Sequence, residues 1–128
     1  MKINSVFIVL LFAMSSFVVR VDVVDEMAAA INSGNPKTIT RFFVDNIDMK
    51  MIDKEEIYSK QQAEMMLKKF FDTHPVVRFA IAHKSEMKNG AQYAIGTLET
   101  KKGKFSIYFL TKTSGNKTFI QQFKIENG

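Results

Sequence analysis

The chain has 128 residues, a formal charge of +5 and 46% hydrophobic residues, which suits one domain with an ordinary core. It contains no cysteine, and this excludes disulfides, thiolate metal ligands, a cysteine nucleophile and a lipid-anchoring cysteine. Two histidines are too few for a histidine-rich metal site, and Asp45-Asn46-Ile47-Asp48 lacks the glycine and distal glutamate of a calcium loop, so no metal or other cofactor is expected.

The amino terminus reads as a targeting segment. Lys2 precedes an unbroken apolar run from Val6 to Met14, and Ala13 and Ser15 supply the small residues of a signal-peptidase site. The expectation is a signal peptide over residues 1–15, cut after Ser15 or Ser16, and an exported periplasmic or secreted domain over residues 16–128. The apolar stretch is short for a spanning helix, so membrane contact is expected only through the signal before cleavage. Residues 84–128 carry eight lysines, three glutamates and no arginine. With the lysines mostly at turns, the pattern fits a solvated sheet better than a nucleic-acid surface.

Along the mature chain, Val24, Met27, Ala28 and Ile31 form a helical stripe opened by Asp22 and stopped by Gly34. Asn35-Pro36 starts a short second helix with Ile39, Phe42 and Phe43 on its buried side. The alternation of Ile47, Met49 and Met51 predicts a strand over 44–52, and Asp53-Lys54-Glu55 predicts a turn. Ser59 to Gln62 is a capping box opening a third helix with Ala63, Met66, Leu67, Phe70 and Phe71 on one face. From Val76 the period becomes two. Four strands are expected over 76–85, 91–101, 104–113 and 117–126, joined at Asn89-Gly90, Lys102-Gly103 and Ser114 to Asn116. The fold class is therefore α+β: three helices packed on a curved antiparallel sheet.

Registers counted from these turns divide the meander into two faces. The first, expected to pack on the helices, collects Val77, Phe79, Ile81, His83, Gly96, Phe109, Phe119, Gln121 and Phe123 among others. The second carries Lys84, Tyr93, Ile95, Tyr108, Leu110 and Ile120. On the first face His83, Gly96, Phe109 and Gln121 share a row, with Phe79 and Phe123 nearby. Two polar groups beside a residue without a side chain suggest a ligand pocket; a buried hydrogen bond to backbone or water is the alternative. On the second face Tyr93, Ile95, Tyr108, Leu110 and Ile120 form a surface suited to a self-complementary dimer, the alternative being a half-wet sheet face.

Several local patterns resemble a family of small exported bacterial proteins of unknown function. They include Ser33-Gly34-Asn35, Tyr58-Ser59-Lys60 with Gln62-Ala63-Glu64, Tyr93 to Leu98, and Ile120-Gln121 with Phe123 and Ile125-Glu126. The order of elements is similar to the nuclear transport factor 2-like, or cystatin-like, superfamily. That resemblance implies a cone-shaped fold and supplies no activity. The wider superfamily includes isomerases and dehydratases as well as non-catalytic binding modules. No carboxylate base is expected on the inner face of the meander, so the catalytic candidates reduce to His83 and Tyr58. The preferred expectation is a non-catalytic exported domain that binds a small apolar molecule or a protein partner. The alternatives are an isomerase- or hydratase-like enzyme using His83, and a structural dimerisation module.

Overall fold

Asp22, itself extended, accepts the amide of Val24 and caps the first helix, and Gly34 closes that helix in the left-handed region at φ 65°. Between them lies α1 (Val23–Ser33), which buries Val24, Met27, Ala30 and Ile31. The computed structural model describes residues 22–128, so the signal peptide and its cleavage site lie outside the described residues. The Asn35 side chain accepts the amides of Lys37 and Thr38 and opens α2 (Pro36–Thr40) with proline at its start. Phe43, expected on α2, instead begins β1 (Phe43–Met51).

A strand that the residue pattern does not signal follows. β2 (Lys54–Ser59) pairs antiparallel with β1, and the turn between them is Ile52-Asp53 rather than Asp53 to Glu55. Ile52 holds φ 62° there, a conformation that disfavours a β-branched residue by about 1–2 kcal/mol. The Ile52 amide compensates with a 2.7 Å bond to the Ile125 carbonyl. Ser59 then caps α3 (Lys60–Thr73) through a complete capping box with Gln62, worth about 1 kcal/mol. α3 buries Ala63, Leu67, Phe70 and Phe71.

The remaining strands are β3 (Val76–Glu86), β4 (Gln92–Thr100), β5 (Gly103–Ser114) and β6 (Lys117–Asn127). The sheet has the order β2-β1-β6-β5-β4-β3. It is mixed rather than antiparallel throughout, because β1 lies parallel to β6. Among the described residues three helices cover one face: α1 packs on β3, α3 on β1 and β2, and α2 on α3.

The turns differ in length from those the turn residues predict, and bulges absorb the difference. The β3–β4 loop closes with the Met87 amide on the Ala91 carbonyl, not with a two-residue Asn89-Gly90 turn. This moves the upper strand by one residue, so His83 faces Ile95; a bulge at Ala82 then restores the faces, pairing Ile81 with Gly96 and Phe79 with Leu98. A second bulge leaves Val77 exposed. The β5–β6 turn is Gly115-Asn116, with Ser114 opposite Lys117, and here the extra residue is Gln121. The β4–β5 turn is Lys101-Lys102, with Gly103 at φ 123°. That shifts the register by two, which preserves every face.

The inner wall is accordingly apolar. One row reads Met51, Ile125, Ile107, Gly96 and Ile81; the next reads Met49, Phe123, Phe109 and Ala94. Phe43, Met49, Ile107, Phe109, Phe123 and Ile125 are fully buried. The Phe43 and Phe123 rings lie 5.3 Å apart, and Phe70 meets Phe105 edge-on at 5.2 Å.

Candidate functional site

The row proposed to line a pocket is not assembled. His83 is exposed on the outer face, where its Nε2 lies 3.2 Å from the Tyr93 hydroxyl. Gln121 is the extra residue of the β6 bulge, half-buried, and Phe109 pairs with Phe123 in its place. Gly96 leaves no gap. A Cβ there would stand 2.5 Å from Phe79 Cε1 and 2.6 Å from the Ala80 carbonyl oxygen. The Phe79 ring thus occupies the space above the glycine, and the strand needs glycine for that close approach. Phe79, Phe109 and Phe123 are buried as solid core, not as the lining of a cavity.

Tyr58 sits on β2 opposite Ile47. It is 9% exposed and its hydroxyl has no partner among the described residues. The two catalytic candidates are therefore on opposite sides of the sheet, since Ile47 is a core residue and His83 faces solvent. No group of three or more His, Asp or Glu placed to hold a metal occurs among the described residues.

The outer face has a definite layout. Tyr93 pairs with Leu110, and Ile95 with Tyr108, so four apolar side chains form one block across β4 and β5. The Tyr93 and Tyr108 rings stack at 6.1 Å, and Lys124 Nζ lies 5.8 Å above the Tyr108 ring. Ile95 is 37% exposed. A shallow depression of about 320 Å3 lies beside the block, lined by Ile95, Ser106, Tyr108, Lys124 and Glu126. Charges of both signs surround it, paired as Lys124–Glu55 at 3.5 Å, Lys50–Glu126 at 3.2 Å and Arg78–Glu99 at 3.4 Å. Asp48 accepts a 3.0 Å bond from Gln122. Ile120, expected in this block, is fully buried on the helix side opposite Thr111, because the shorter turn reverses the start of β6. Lys84 is likewise on the helix side, 3.9 Å from Asp25 of α1.

Helices on one face of a mixed sheet, with the other face open, give the chain a cystatin-like, nuclear transport factor 2-like fold. The sequence model described as "Domain of unknown function (DUF4783)" matches residues 24–126, and the chain belongs to that family. It is similar to a DUF4783 family protein from Bacteroides uniformis, with 25% identity, a TM-score of 0.77 and coverage of 84% of this chain and 98% of that one. A DUF4783 family protein from Bacteroides fragilis shares 26% identity at a TM-score of 0.76, covering 85% of this chain and all of that one. A domain of unknown function with a cystatin-like fold from Nostoc punctiforme matches in fold, with 10% identity, a TM-score of 0.64 and coverage of 81% and 72%. No curated protein matches the sequence.

Proposed function

We propose that this chain is an exported, non-catalytic binding domain that docks a protein partner on the outer face of its sheet, the partner being a second copy of itself. The observation that carries this reading is the Tyr93, Ile95, Tyr108 and Leu110 block within a rim of mutually paired charges. A rim holding both signs can meet its own image across a two-fold axis, and the apolar centre supplies the desolvated patch such an interface uses. An apolar ligand inside the cone is less well supported, since it would have to displace Phe109 or Phe123. An acid–base enzyme using His83 is less well supported again, because the histidine's partner is a tyrosine hydroxyl on the solvent side. Export rests on the Lys2 and Val6 to Met14 segment.

Light scattering on the mature domain over a concentration series tests the reading. A dimer that Tyr108→Glu or Leu110→Glu converts to a folded monomer supports it. A wild-type monomer at millimolar concentration overturns the self-association.

A further inference from the structure

At one end of the domain, α2, the first turns of α3, β1 and the β5–β6 hairpin enclose two shallow grooves that share Lys60. The first, about 410 Å3, is lined by Lys37, Thr40, Arg41, Lys60, Gln61 and Glu64. The second, about 280 Å3, sets Phe43, Val44 and Phe119 beside Asp45, Lys60 and Lys112.

Four cations therefore meet two acids. None of the four takes part in any ion pair among the described residues. The outer-face depression is different, since its Lys124 and Glu126 are both paired. Lys60 also stands against local electrostatics. It is the first residue of α3, whose first turn contains no acid, at a helix end that already carries positive potential. The Ser59 and Gln62 amides are already taken by the capping box, so the side-chain charges would do most of the anchoring. A cation at an unfavourable helix position, grouped with three others that make no ion pair among the described residues and that outnumber Glu64 and Asp45, is a local conflict of the kind expected at a site.

We propose that the two grooves bind an anionic amphiphile. Its apolar body would lie on the half-buried Val44 and Phe119, and its carboxylate or phosphate would sit among Lys60, Arg41 and Lys112. The cations are flexible and mostly exposed, so the site reads charge plus apolar area and accepts either anion.

Calorimetry on the mature domain, with dodecanoate and dodecyl phosphate below their micelle-forming concentrations, tests this. Both probes should bind at one site, several-fold more weakly when salt rises from about 50 to about 500 mM, as screening requires. The Arg41→Glu/Lys60→Glu variant should lose at least tenfold in affinity, and Lys112→Glu, on a different element, should lose affinity as well. Tyr108→Glu on the outer face should bind like the parent, which separates this site from the docking face. Matching thermal melts establish that the variants fold. Equal binding of neutral dodecyl glucoside, equal binding of inorganic phosphate, or unchanged affinity in both charge-reversal variants would each overturn the proposal. So would association with anionic vesicles but not with the free probes, which would assign the patch to a membrane surface.

Discussion

The Asn32 side chain clamps the main chain of Phe79. Its Oδ1 accepts the Phe79 amide at 2.8 Å, and its Nδ2 donates to the Phe79 carbonyl at 2.8 Å. One side chain at the end of α1 thus fills the place of a neighbouring strand along the free edge of β3. It satisfies two main-chain groups and ties the helix to the sheet. The ring of the clamped residue lies over Gly96. Helix end, edge strand and the next strand are joined through these three residues.

Removing the clamp should therefore cost more than an ordinary surface change. Asn32→Ala is expected to lower stability by about 1–3 kcal/mol, since two partly buried backbone groups lose their partner. Asn32→Asp should do no better, because it keeps the acceptor but sets a carboxylate against a carbonyl oxygen. Urea denaturation of both variants measures this. A loss below about 0.5 kcal/mol, the range of neutral surface substitutions, would show that the clamp contributes nothing.

Gly96 leads to a second expectation. Adding a single methyl group should destabilise the domain by about 1–3 kcal/mol, the usual range for an overpacked core. The conflict is with a backbone oxygen as well as with Phe79, so shortening the ring gives only partial relief. Thermal unfolding of Gly96→Ala and of Gly96→Ala/Phe79→Leu should show a lowered midpoint in both. If Gly96→Ala melts like the parent, the glycine marks an open gap after all.

These residues show what could be read in the sequence and what could not. The caps at Asp22, Asn35 and Ser59 act through neighbours in the chain, so α1, α2 and α3 were legible. The faces of β4 and most of β5 were legible too, because a two-residue error at Lys101-Lys102 leaves the alternation unchanged. The upper part of β3 and the start of β6 were not. In each hairpin the turn differs by one residue and a bulge, at Ala82 or Gln121, restores the pattern further along. His83 lies between its turn and its bulge, and Gln121 is itself the bulge. A polar residue interrupting an apolar face was the available sign, and it signalled a change of register instead of a pocket. β2 was hidden because its turn uses Ile52, a residue without turn chemistry. Asn32 was hidden because its partner is backbone 47 positions away.

His83 now behaves as a surface residue. His83→Ala should change stability by no more than about 0.5 kcal/mol and leave any binding at the Lys60 grooves unaltered. The histidine ring resonances should report free exchange with solvent. A loss above about 2 kcal/mol would return His83 to the interior and revive the pocket beneath the helices.

Tyr58 presents the opposite case. Its ring belongs to the core, yet its hydroxyl is buried and has no partner among the described residues. Leaving such a group without a hydrogen bond costs about 1–3 kcal/mol, so Tyr58→Phe should unfold no earlier than the parent and can gain up to about that much. Tyr58→Ala should lose about 3–5 kcal/mol with the ring, by analogy with other large aromatic truncations in packed cores. The two variants separate the hydroxyl from the ring in one chemical-denaturation series. A clear loss in Tyr58→Phe would mean that the hydroxyl has a partner in solution, such as an ordered water or a bound molecule at that end of the cone.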